Sequence, residues 1–162
     1  GLIDVFIHNA GSGMFADFLS TTPEQMESAW RTNTMGLFLL GQAAAKDMLE
    51  SGVGGSIVVV GATSSLRGGA DFTPFASAKA SQRSLAQSMA RGLGPRGIHV
   101  SYVIIDGLID IPRIRKMDWA KNKPDDAFLI PDEIADAIWF LSKQPKSAWT
   151  FELDLRPYRE SW

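Results

Sequence analysis

Ile3-Asp4-Val5-Phe6-Ile7-His8-Asn9-Ala10-Gly11 sets a β-branched and aromatic run directly against an Asn-Ala-Gly turn. Short apolar runs bounded by Gly, Asn or Asp read as strands, and two more follow, over 56–60 and 98–105. All three are near-continuous in apolar residues, which predicts strands covered on both faces, as a parallel sheet flanked by helices requires.

Helical patterns separate the strands. Thr22-Pro23-Glu24-Gln25 places a capping hydroxyl, a first-turn proline and a glutamine three residues on, so a helix is predicted over 22–50, ended by Gly52, Gly54 and Gly55. Met26, Trp30, Leu37, Leu40 and Ala44 are expected to keep one face of it towards the sheet. A second helix opens at Thr73-Pro74, carries Ala76, Ala80, Leu85 and Met89, and closes at Gly92 or Gly94. Pro131-Asp132-Glu133 opens a third that runs to about Lys143, with carboxylates in its first turn. The stretch 149–155 alternates like a last strand, and 110–126 has no periodicity and reads as a loop or short helices on the substrate side. The order βαβαβαβ predicts an α/β fold, a partial Rossmann-like parallel sheet of about four strands, and one domain over 1–162.

The chain has 162 residues, 16 Lys plus Arg against 18 Asp plus Glu, and a formal charge of −2, which excludes a strongly basic nucleic-acid binder. An apolar content of 45% supplies a core and argues against disorder. The absence of cysteine excludes disulfides and thiolate chemistry, and any redox chemistry then needs a cofactor. The longest apolar stretch, 57–62, is far too short to cross a bilayer, so no membrane partner is expected, and a cytoplasmic location is the default. No metal is expected either: His8 and His99 are the only histidines, lie in different strands and lack ligand spacing. A start at Gly1, almost directly on a strand, suggests an N-terminal truncation.

Three local patterns fall in order at the carboxyl ends of these elements, where open α/β sheets bind ligands: His8-Asn9-Ala10-Gly11, Asn33-Thr34-Met35-Gly36 and Phe75-Ala76-Ser77-Ala78-Lys79. The series resembles the short-chain dehydrogenase/reductase family nearly to the C-terminus. The resemblance implies NAD or NADP as cofactor, provided that the missing nucleotide-binding half is supplied, and a small carbonyl or alcohol as substrate. It implies that Asn9, Ala10 and Gly11 line the dinucleotide site, that Asn33 holds a proton-relay water, and that Lys79 binds the nicotinamide ribose. Asn9-Ala10-Gly11 also suits an ordinary turn, and a helical Asn33 can bond locally. Gly107, in Asp106-Gly107 where the family has Pro-Gly, permits close approach of the cofactor.

The departures touch the chemistry. Residues four apart share a helix face, and the family pairs its lysine with a tyrosine at that spacing, so that the ammonium lowers the phenol pKa for proton exchange with substrate. Here that position is Phe75, and the family's serine thirteen residues earlier is Ala62. Thr63, Ser64 or Ser65 are candidate substitutes for the serine, and Asp106 or Asp110 for the acid. Arg67 and Asp71 read as a surface ion pair.

The nucleotide-binding half of the family begins with a strand, a Gly-rich turn and a helix, and no such segment is present: Gly11-Ser12-Gly13 lacks a third glycine. A βαβαβ half of about 80 residues is therefore expected to be missing. Without it, the first strand becomes an apolar sheet edge that recruits a partner or aggregates. The expected function is an NAD(P)-dependent oxidoreductase, impaired at Phe75 and Ala62. The competing class is a non-catalytic cofactor-sensing or assembly module, and a homo-oligomer is expected.

Overall fold

The computed structural model describes residues 1–160. Its strands are Val5–His8 (β1), Gly55–Val60 (β2), Ile98–Ile105 (β3), Leu108–Ile109 (β4), Phe128–Leu129 (β5) and Glu152–Leu155 (β6). Four of them form one parallel sheet in the order β1-β2-β3-β6, with Val5 opposite Ser56, Val58 opposite Ser101 and Ile105 opposite Leu155. The helices are Pro23–Trp30 (α1), Gly36–Ser51 (α2), Thr73–Leu93 (α3), Pro112–Arg115 (α4) and Pro131–Ser142 (α5). The fold is the α/β parallel sheet of four strands that the alternation of elements predicts.

Every residue of β3 is buried, because the pleat sends alternate side chains into two different cores. Ile57, Val59, Val100, Tyr102 and Ile104 meet Leu37, Met48 and Ala86 of α2 and α3 on one face. Val58, Val103 and Ile105 meet Ile134, Ile138 and Leu141 of α5 on the other. Each fully buried side chain of this size contributes about 1.5–3 kcal/mol. Among the described residues no strand pairs with the outer side of β1, where Ile7 is 47% exposed.

The capping box forms as read: Gln25 N–H donates to Thr22 Oγ1 at 3.3 Å and Thr22 N–H to Gln25 Oε1 at 2.9 Å. The helix predicted over 22–50 is interrupted by a π-helical turn, Arg31–Met35, that joins α1 to α2. Of the residues expected to face the sheet, Leu37 and Ala44 are buried, but Met26, Trp30 and Leu40 are exposed, so the stripe does not run as one face through the turn. Such a turn inserts one residue into the helical register and is frequent at functional sites. It carries Asn33 and Thr34, both buried, and Thr34 Oγ1 donates to the Ala78 carbonyl of α3 at 3.0 Å.

Three boundaries differ from the sequence reading. The first strand spans Val5–His8 rather than 3–7. The last begins at Glu152 rather than Trp149, because Trp149 stacks on His99 at 4.9 Å and the Thr150 carbonyl bonds His99 Nε2 at 2.8 Å. The 110–126 stretch has α4 at its start and is flanked by β4 and β5, which pair with each other in parallel. Arg115 holds this region together, binding Asp110 and Asp125 while its guanidinium lies 3.7 Å from the Phe128 ring centroid.

Candidate active site

The carboxyl end of the sheet gathers His8 from β1, Asn33 from the π-helical turn, the Val60 carbonyl from β2, and Lys79 and Gln82 from α3. Lys79 is 6% exposed. Its Nζ donates to the Val60 carbonyl at 3.1 Å and to Gln82 Oε1 at 3.0 Å. Burial pushes the ammonium down to about 8, since a low-dielectric setting disfavours charge. Asn33 is fully buried, and its amide donates to the carbonyls of Ala29 at 2.9 Å and Ser12 at 3.2 Å. Asn33 Oδ1 has no partner.

Gly11 faces this pair. A Cβ placed on it would stand 3.1 Å from Asn33 Oδ1 and 3.6 Å from Lys79 Nζ, so only glycine leaves the backbone open beside an ammonium and a lone carbonyl oxygen. The two groups are complementary to a hydroxyl, which would donate to Asn33 Oδ1 and accept from Lys79. The ribose of a nicotinamide cofactor carries such hydroxyls, and Lys79, Asn33 and Gly11 are the residues that would hold them. Asn9 and Ala10 are exposed beside Gly11. Gly107 lies beyond β3 at φ +148°, a backbone shape that favours glycine, with Pro157 and Leu129 where a side chain would go.

Phe75 is half-buried one turn before Lys79, with its ring centroid 6.0 Å from Nζ. Phe15 packs edge-on against it at 5.6 Å and also against Phe72 at 4.9 Å, so this side of the site is an aromatic wall. Ala62 sits in extended backbone at the end of β2 and caps the 3₁₀ turn Thr63–Ser65. Thr63 Oγ1 donates to Asp106 Oδ1 at 2.5 Å, which commits that hydroxyl to the protein. Ser65 is buried beside the Tyr102 phenol. Asp110 does not suit an acid: hydrogen bonds from Arg115 hold its carboxyl below the usual range. Arg67 and Asp71 are exposed and do not pair with each other, contrary to the surface ion pair expected from sequence.

Sequence reading missed Gln82 and Tyr102. The signal for Gln82 was available, since positions 75, 79, 82 and 86 share one face of α3 and a glutamine interrupts that otherwise inward stripe. Tyr102 is a fully buried phenol, raised to about 12 mainly by burial. Its ring fits only because Gly61 has no side chain, as a Cβ there would stand 2.2 Å away.

His8 is 2% exposed and its Nε2 has no partner. Burial first, and then the Lys79 charge, lower its pKa from 6.5, against an opposing Asn33 backbone hydrogen bond. In the window below 6.5 the unfolded chain therefore binds more protons, so stability is full above 6.5 and falls as pH drops towards the folded-state value. His8→Asn is expected to flatten that slope. Tm measured at pH 5 and pH 7 checks it: an equal Tm difference in parent and variant overturns the assignment.

The family model described as Enoyl-(Acyl carrier protein) reductase matches residues 1–152. The L-rhamnose 1-dehydrogenase (NAD(P)(+)) of Azotobacter vinelandii is 35% identical over 150 residues, covering 88% of this chain and 58% of that protein. The L-rhamnose-1-dehydrogenase of Scheffersomyces stipitis is 41% identical over 104 residues, 64% of this chain and 40% of that protein. A short-chain dehydrogenase crystal structure from Rhodopseudomonas palustris is 41% identical with a TM-score of 0.78, over 96% of this chain and 62% of that one. The chain belongs to the short-chain dehydrogenase/reductase family. It spans less than two thirds of the length of these relatives.

Proposed function

We propose that the protein, once joined to a nucleotide-binding half, binds NAD or NADP and belongs to an oxidoreductase acting on a small carbonyl or alcohol, with hydride transfer impaired by the loss of its proton donor. The carrying observation is Phe75: its ring lies 6.0 Å from Lys79 Nζ, one helical turn away, in the position where the family resemblance implies a phenol. A phenyl ring has no exchangeable proton. The cofactor supplies the hydride when bound. Lys79 then offers a charge and a donor to the ribose hydroxyls, Asn33 an acceptor, Gly11 an open backbone and Gly107 close approach beyond β3. Asn9 and Ala10 complete the wall next to Gly11. The activity for which two relatives are named makes L-rhamnose the first substrate to assay.

Titration of the chain with NADH and NADPH, with a nucleotide-binding half supplied, tests the reading. Lys79→Met is expected to weaken binding by roughly tenfold or more, since a hydrogen bond to a charged group contributes about 1.5–3 kcal/mol. Absence of binding by the parent, or binding untouched by Lys79→Met, overturns it.

The competing reading, a non-catalytic cofactor-binding module, is favoured by one observation: Lys79 is bonded to fixed protein acceptors and not to a group that exchanges protons with a substrate. Under either reading the protein assembles with copies of itself in the cytoplasm. Trp30, Phe38, Leu39 and Leu40 support this, being 40–57% exposed along α1 and α2. Sedimentation of the complete chain is expected to give more than one protomer's mass, and a monomer at micromolar concentration counts against assembly.

A further inference from the structure

Gln82 is wholly enclosed, three residues beyond Lys79 on α3. Its carboxamide is used at both ends: Oε1 accepts from Lys79 Nζ at 3.0 Å, and Nε2 donates to the main-chain carbonyl of Asn33 at 2.8 Å. The Tyr102 hydroxyl lies 3.5 Å from the same Oε1. An ammonium has three N–H groups to satisfy, and a buried one costs heavily when they lack acceptors. Val60 and Gln82 supply two of those acceptors, and among the described residues no carboxylate pairs with Lys79. The remaining direction is the side of Gly11 and the lone Asn33 Oδ1.

We propose that Gln82 is a positioning residue for Lys79: its carboxamide ties the ammonium to the Asn33 main chain and leaves one N–H for a ligand at Gly11. A primary amide accepts at oxygen and donates at nitrogen, and it does not hand a proton from one end to the other as water does. The bridge therefore fixes where the charge sits without carrying its proton away through Asn33. It also binds α3 to the π-helical turn, so the two sides of the ligand niche cannot drift apart independently. The ligand part of this inference rests on the cofactor reading above, whereas the clamp on Lys79 stands without it.

The ionisable groups near Lys79 are His8 from β1, which feels its charge, and Tyr102 from β3, whose hydroxyl lies 3.5 Å from the Lys79 main-chain carbonyl and from Gln82 Oε1. Gln82→Leu keeps the bulk and removes the acceptor. Gln82→Glu keeps the acceptor and adds a charge, but loses the N–H that binds the Asn33 carbonyl. Lysine-selective nitrogen NMR of the complete chain without cofactor, with Lys79 assigned through Lys79→Arg, reads the ammonium directly. Its protons are expected to exchange slowly in the parent. Its titration is expected to move down by about one unit or more in Gln82→Leu and up by a similar amount in Gln82→Glu. An unmoved titration in the variants, or free-lysine exchange in the parent, overturns the clamp. If Gln82→Leu fails to fold, the parent exchange rate and the Gln82→Glu titration decide. NADH affinity is expected to fall about tenfold in Gln82→Leu with the circular dichroism unchanged, and to recover only in part in Gln82→Glu, which restores the Lys79 acceptor but not the bond to Asn33. A parent that binds no NADH or NADPH removes the cofactor reading, while the lysine exchange and titration still decide the role of Gln82.

Discussion

Phe75→Tyr combined with Ala62→Ser is expected to raise carbonyl reduction by the complete chain by roughly 10²–10⁴, the usual contribution of a positioned general acid. The site is prepared for the change. Lys79 lies one turn along α3 from Phe75 and is anchored on Val60, two residues before Ala62, so the ammonium, the new phenol and the new hydroxyl would converge at the end of β2. A fixed cation near the phenol favours its ionised form, which brings its pKa towards working pH. Tyr102 does not serve in its place, because it is fully buried and raised to about 12. Steady-state rates with L-rhamnose in the oxidative direction, and with small ketones and NADPH in the other, measure the gain. Each single variant is expected to give far less than the pair, since the proton donor and the carbonyl-bonding hydroxyl act on one oxygen. A parent already turning over at the rate of the double variant sinks the account of Phe75. An inactive double variant that still binds cofactor favours the non-catalytic module.

What sequence could and could not reveal follows from the range of the forces involved. The capping box at Thr22, the helix start at Thr73-Pro74 and the whole of β3 are governed by neighbours in sequence, and they stand where local patterns put them. Lys79 and Phe75 are four apart on one helix, so their juxtaposition was also legible. The π-helical turn was not: an inserted residue in the middle of a helix leaves the apolar pattern on either side intact, and only contact with α3 reveals it. The same holds for Gln82, whose partner carbonyl on Asn33 is 49 residues away. The β4–β5 pair, two residues on each side, is too short to show any periodicity. Trp149 looked like a strand residue because it is apolar in an alternating run, but stacking on His99 takes it out of the ladder.

Asp106→Ala is expected to cost about 3–5 kcal/mol of stability, the range for removing one partner of a buried ion pair. Asp106 is 6% exposed at the end of β3. One carboxylate oxygen accepts from Thr63 Oγ1 at 2.5 Å, and the other lies 3.1 Å from Arg156 Nη1. Its main-chain N–H also donates to the Leu155 carbonyl at 2.8 Å, so the residue staples the turn after β2 to the ends of β3 and β6. Sequence reading offered Asp106 as a replacement acid. Both of its oxygens are engaged, one by the Thr63 hydroxyl and one by the Arg156 guanidinium, which points to a structural role. The Arg156 side chain keeps its second contact with Asp154 at 2.5 Å, which puts the expected loss at the lower end of the range. Asp106→Asn retains an acceptor for Thr63 and should lose less. Urea denaturation of the complete chain measures both, with Thr63→Val as a third variant that removes only the hydroxyl. Because Thr63 adjoins Ala62, a loosened turn would also blunt the gain from Ala62→Ser, coupling the two sites non-additively. Unchanged stability in Asp106→Ala, together with lost turnover in the Phe75→Tyr and Ala62→Ser background, would return the carboxyl to the role of acid.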